Sequence, residues 1–266
     1  MSTTGHVGRD WAAFIDLLDA AGPGVWSIAT RLDGWDVAGL ARHAHWGMTL
    51  EAEALELAAA NMAAARAASS ADAAGTPAVD HHDPDQRARG IQHDGPVETL
   101  VPALRAARDR LLAALAAAPT DPGAVAPMPY GDLPMALALH IFVMEAAMHR
   151  SDLAHALGDD DRLHPGTHAA AAGVLQTLWG TLAAAALTAP PAGTGFELRG
   201  EAVVVAAEYT RDGWAEPTRA PAVVIGGDDD AVLLAAYGRL PLTSPRLRLQ
   251  GDRELALRLK EFLPGP

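Results

Sequence analysis

The stretch 132–158, DLPMALALHIFVMEAAMHRSDLAHALG, reads as one long helix. Asp132 and Pro134 suit a cap and first turn, and Gly158 is a natural left-handed stop. Ala138, Ile141, Phe142, Met148 and Ala156 form its apolar face. Glu145, His149 and Asp152 project from nearly the same face, because residues four and seven apart on a helix stack above one another. An unpaired carboxylate in such surroundings costs on the order of several kcal/mol, so something must compensate its charge. A divalent cation does so: the Glu145–His149 spacing brings a carboxylate oxygen and an imidazole nitrogen to one ion, and a third ligand from another helix closes the site. A structural ion pair between the two is the competing account.

Working outward, Val7, Trp11, Phe14, Ile15 and Leu18 recur at helical spacing until Gly22, Pro23 and Gly24. Asp36 is the expected cap of a second helix carrying Val37, Leu40, Ala41, Ala44 and Met48 and running to about Arg66. A third follows from Pro96, with Leu100, Leu104, Leu111 and Leu115 on one stripe, until Pro119. Four helices of such length predict a bundle over residues 1–160. Between Ala67 and Gly95 the composition is polar and without period, so His81, His82, Asp83, Asp85 and His93 read as a solvated loop rather than a metal cluster. A further alanine-rich helix, from about His164 to Leu187, leads into the Pro- and Gly-rich stretch 189–193, so 161–193 is the expected connection. Beyond it, short β-rich runs at 196–198, 203–209, 223–225 and 247–249 alternate with helical segments 228–237 and 253–262. Residues 194–266 are therefore expected to form a small α+β domain, and the chain as a whole to be mainly α.

Two histidines on the second helix could supply the third ligand. His43 and His45 differ by about 200° of helical rotation, so they cannot both face the bundle interior, and periodicity does not choose between them. His140 and His155 point away from the Glu145 face. Trp26 and Trp35 read as packing residues, and Trp46 has no placement from the pattern.

Composition narrows the functions. With 33 acidic against 20 basic residues and a formal charge of −13, the chain lacks the cationic surface that a phosphate backbone or anionic lipid attracts. It contains no cysteine, which excludes disulfides, zinc fingers, iron–sulfur ligation and a protein thiol nucleophile. Any sulfur chemistry must use a thiol from outside. The first ten residues do not read as a secretory signal and the alanine-rich stretches are weak as membrane spans, so a cytoplasmic protein without membrane or nucleic-acid partners is expected. The acidic surface and two-domain layout are compatible with a monomer.

Gly34, Trp35, Val37, Leu40 and His43 resemble the GW-x-V-x-x-L-x-x-H element of the mycothiol-dependent maleylpyruvate isomerase family. Glu145, His149, Asp152, Ala156 and Gly158 are similar to that family's E-x-x-x-H-x-x-D-x-x-x-A-x-G helix. Val224 to Asp228, Leu233, Leu234, Tyr237 and Arg239, then Leu247, Leu249, Gly251 and Asp252, look like its sterol-carrier-like module. The resemblance implies a DinB-type four-helix bundle followed by a sterol-carrier-like domain. It implies metal ligands at His43, Glu145 and His149, a divalent ion usually described as zinc, and mycothiol as thiol cosubstrate.

The activity implied is addition of the thiol to an electrophilic unsaturated small molecule. Rotation and elimination then make a cis–trans isomerase, as in conversion of maleylpyruvate to fumarylpyruvate, and retention of the adduct makes an S-transferase. Arg239 is expected to bind a substrate carboxylate, a plain surface arginine being the alternative; Arg87 and Arg89 are further candidates. Asp152 is expected to orient His149 or His43 in the catalytic site, or else to bond Arg150 or the backbone. Two other readings remain: a metal-assisted hydrolase or lyase that uses bound water, and a non-catalytic module that shelters small molecules.

Overall fold

The structure, a computed structural model, describes residues 2–70, 94–129 and 131–264, and the chain divides into two units, Met1–Asp161 and Arg162–Pro266. The loop candidates His81, His82, Asp83, Asp85, Arg87, Arg89 and His93 lie outside the described residues.

In the first unit, helix α1 (Thr3–Ala21) begins behind Ser2, whose hydroxyl accepts the Gly5 N–H, and ends at Gly22. Helix α2 (Val37–Ser70) has the expected cap: Asp36 Oδ1 accepts from the Gly39 N–H at 2.8 Å. It runs a turn past the predicted end, since alanines and Arg66 favour helix and no breaker stands there. Helix α3 (Leu100–Ala116) follows a single 3-10 turn, Val97–Thr99.

The start of the next helix differs from the reading of the sequence. Residues Val125–Met128 (β1) and Gly131–Pro134 (β2) pair as an antiparallel hairpin, and helix α4 is Met135–Leu157. Asp132 lies in β2 opposite Pro127 rather than at a helix cap, and Pro134 occupies the N-cap position without a side-chain bond. Both members of a two-stranded sheet are edge strands, which tolerate proline, so the usual strand signal is missing. The far end is as predicted: Gly158 takes φ 72° and stops the helix in the left-handed conformation.

Helix α1 packs on α3 and α4, and α2 packs on α3 and α4. The interior is apolar, with Phe14, Leu40, Met48, Leu104 and Phe142 shielded from solvent. Within this core the amino-terminal half of α2 and the middle of α4 bring their polar residues together.

In the second unit, helix α5 (Pro165–Ala183) packs on the sheet and on helix α6 (Asp229–Ala236), so the helix expected as a connection is a layer of this unit. The sheet has order β5–β4–β3–β6–β7, formed by β3 (Thr194–Arg199), β4 (Val204–Thr210), β5 (Gly213–Ala215), β6 (Val223–Gly226) and β7 (Arg248–Gly251). Strands β3 and β6 are parallel and the remaining pairs antiparallel. The short β5 carries no apolar run and is absent from the sequence pattern. The final helical segment is broken into α7 (Arg253–Leu257) and α8 (Leu259–Phe262) at Arg258. A helical bundle followed by a small α+β domain is the fold class the sequence predicts. No helix among the described residues is long and apolar enough to cross a membrane.

Candidate metal centre

The helix face that carries Glu145 and His149 meets α2 at His43. One ligand atom from each of the three residues lies within 4.8 Å of the others. The imidazoles of His43 and His149 are 4.9 Å apart between centroids and nearly perpendicular, at 81°, so the rings do not stack. His149 Nε2 stands 3.0 Å from Glu145 Oε2, and its Nδ1 stands 3.6 Å from Asp152 Oδ2. His149 is 5% exposed, yet neither ring nitrogen makes a directed hydrogen bond. Buried polar atoms are normally satisfied, so a nitrogen left in this condition between a carboxylate and a second imidazole fits a cation ligand. His45 is outside this group, so His43 is the histidine of α2 that lies near Glu145 and His149.

Electrostatics make the same point. Burial by itself lowers the basicity of His149, but the carboxylates of Asp152 and Glu145 outweigh it and hold the imidazolium up to about 9. The neighbourhood is thus built to favour positive charge. Glu51, also buried, belongs to it: burial, reinforced by the Glu145 carboxylate, pushes its carboxyl well above the ordinary value. Beside the Glu145 carboxylate it therefore takes on negative charge less readily than an ordinary glutamate.

Asp152 is wholly buried beside His149. Its Oδ1 accepts from Arg31 Nε at 2.7 Å, a partner from the loop ahead of α2. A cavity of about 450 Å³ opens at His43, lined by Gly34, Trp35, Gly39, Arg42 and Trp46. The Trp35 ring meets His43 edge-on at 4.9 Å and the Trp46 ring lies 5.4 Å from it. Trp35 therefore walls the site, where the sequence reading made it a packing residue. His140 and His155 are exposed, and His155 pairs with Asp161 at 2.8 Å.

Residues 7–154, more than half of the chain, match the family described as the mycothiol maleylpyruvate isomerase N-terminal domain. The chain belongs to that family. Crystal structures of the mycothiol-dependent maleylpyruvate isomerase and of a point mutant of it are similar in fold, each with a TM-score of 0.57, at 18% and 17% identity. Both similarities cover 93% of this chain and 88% of theirs. No curated protein matches the chain significantly.

Measured against the isomerase-type motifs, His43, Glu145, His149 and Asp152 come together as a group. Arg239 belongs to the second unit. There Arg239 Nη1 donates to the Tyr237 carbonyl at 2.6 Å and Lys260 Nζ to the Ala236 carbonyl at 2.8 Å, so both cations sit against the carbonyl end of α6. Burial, with Arg239 nearby, lowers the Lys260 ammonium to about 8. Arg31, Arg42 and Glu51 are additions the sequence reading missed. For Glu51 a signal exists: it falls on the Leu40, Ala44, Met48, Leu55 stripe at helical spacing, the same anomaly that marks Glu145. Arg31 sits in an aperiodic loop and carries no such mark.

Proposed function

We propose that the chain is a metal-dependent enzyme that activates a low-molecular-weight thiol, mycothiol, for addition to an unsaturated or electrophilic small molecule. The observation that carries this is the convergence of His43, Glu145 and His149, of which His43 also lines the cavity walled by Trp35 and Trp46. The donor set, two imidazoles and one carboxylate, is one that zinc and similar divalent ions accept, and it leaves a coordination position open. An ion bound there would lower the pKa of a thiol, or of water, in the open position. Because the protein has no cysteine, a thiol must come from outside the chain.

The chain's own residues then have separable tasks. His43, Glu145 and His149 hold the cation, and Asp152 keeps the His149 ring turned toward it. Glu51, held toward its neutral acid form, avoids a second carboxylate charge beside Glu145. Trp35 and Trp46 exclude water from one side of His43. Arg42 lines the cavity and offers a guanidinium to an anionic substrate group, and Arg239 is proposed for a substrate carboxylate. The thiol sulfur adds to the substrate double bond, the resulting single bond rotates, and elimination returns the thiol and the isomerised alkene. With no elimination the product is a thioether, the S-transferase outcome.

Titration of the zinc-loaded protein with mycothiol, and of a cobalt-loaded sample followed in the visible, tests the proposal. Thiol binding to the loaded protein, its loss in His149→Ala, and thiol-dependent turnover of maleylpyruvate or another unsaturated acid are expected. A parent that binds no divalent ion, or binds one but ignores thiols while hydrolysing its substrate, overturns it. Binding of apolar ligands without any turnover would support the sheltering module instead.

A further inference from the structure

Arg31 stands in the loop between α1 and α2, far in sequence from α4, yet its side chain is only 10% exposed and every nitrogen position of its guanidinium is engaged there. Nε donates to Asp152 Oδ1 at 2.7 Å, Nη2 to Ser151 Oγ at 2.7 Å, and Nη1 to Asp161 Oδ2 at 3.3 Å. The loop that presents it is closed by its own bonds. Thr30 N–H and hydroxyl both donate to the Trp35 carbonyl, and Trp35 N–H donates to the carbonyl of Leu32. Arg31 is thus held from behind by a fixed turn and from the front by α4.

We infer that Arg31 is a positioning residue for the cation centre, acting on His149 through Asp152. The inference rests on the metal reading above. A fully buried carboxylate is tolerated only when its charge is met, and Arg31 meets it at Oδ1. This fixes the carboxyl plane and leaves Oδ2 directed at His149 Nδ1, 3.6 Å away. That separation is a charge contact rather than a hydrogen bond. It still favours the imidazole tautomer with its proton on Nδ1, because the alternative would set a lone pair against a carboxylate. Nε2, on the side of Glu145, is then the nitrogen with a lone pair to give. Metal-bound histidines usually need such a partner on their far nitrogen, and its loss typically weakens metal affinity about 10- to 100-fold.

A plain clasp between loop and helix is the rival account, and zinc affinity separates the two. The measurements are zinc binding by competition with a chromophoric chelator, thermal melting without metal, and the nitrogen-15 tautomer signature of His149 in the zinc-loaded protein. The expected result is that Arg31→Met weakens zinc roughly 10- to 100-fold and blurs the Nδ1–H signature of His149. Arg31→Lys, which keeps the charge that meets Asp152 but not the fork, recovers only part of the affinity. Asp152→Asn gives a comparable loss and serves if Arg31→Met does not fold. Variants that melt lower but bind zinc as the parent does make Arg31 a clasp and overturn the inference alone. A parent that binds no zinc overturns the metal reading and this inference with it.

Discussion

His43 on α2 and His149 on α4 hold their rings 4.9 Å apart at 81°, each with Glu145 in reach. Removing any one of the three should remove a ligand. His43→Ala, Glu145→Ala and His149→Ala are each expected to lose stoichiometric zinc by elemental analysis, and to lose the rise in melting temperature that zinc gives the parent. That rise reflects about 2.7 kcal/mol when free zinc is a hundred times the dissociation constant. His45→Ala should keep both. Retention of full zinc by all three alanine variants would falsify the centre.

The raised basicity of His149 predicts a pH dependence with a definite sign. Its value is about 9 in the fold against an ordinary 6.5, so the stability it contributes to the metal-free protein is complete below about 6.5. That contribution fades as pH rises through 9. Melting of the metal-free protein should therefore drop between pH 7 and pH 10 by more than it does in His149→Gln. Zinc must also displace this proton, so calorimetry at pH 7 in buffers of different ionisation enthalpy should show about one proton released from His149 on binding.

Glu51 makes the opposite prediction. A carboxyl raised above its ordinary 4.5 stabilises the fold most when both states are protonated, and the cost of burying it grows as pH climbs from 4.5 toward its folded value. Glu51→Gln, which imitates the neutral acid, should match the parent near pH 4.5 and melt progressively higher than the parent by pH 7.5. An advantage that is constant or shrinks over that range would refute the upward shift of Glu51.

Lys260 tests the second unit. Its ammonium is lowered to about 8 from an ordinary 10.5, so the unfolded chain binds the proton more readily between those values and stability should rise with pH across them. Lys260→Met should abolish that rise. It should also forfeit the bond to the Ala236 carbonyl, on the order of 1 kcal/mol. Denaturant melts at pH 7.5 and 10 decide the matter.

What the chain reveals without coordinates is uneven, for physical reasons. Helix faces are legible because burial imposes their period, and Glu145 and His149 show up as violations of it. Asp36 and Gly158 are legible because a cap and a left-handed stop demand particular chemistry. The hairpin before α4 escapes because two edge strands with prolines carry no alternation. His43 against His45 is undecidable from period alone, since each flanks the stripe, and only the motif and then the packing choose. Arg31 is invisible because its value lies wholly in a partner far along the chain, and Trp35 misleads because a half-buried indole can serve either a core or a cavity.

The two indoles set against His43 also give the molecule an optical reporter of its own. Trp35 and Trp46 stand within about a ring's width of the imidazole, so an occupant of the cavity should perturb their emission directly. Cation and thiol arrival could then be followed in real time in unlabelled protein, with Trp35→Phe and Trp46→Phe telling which wall senses which guest.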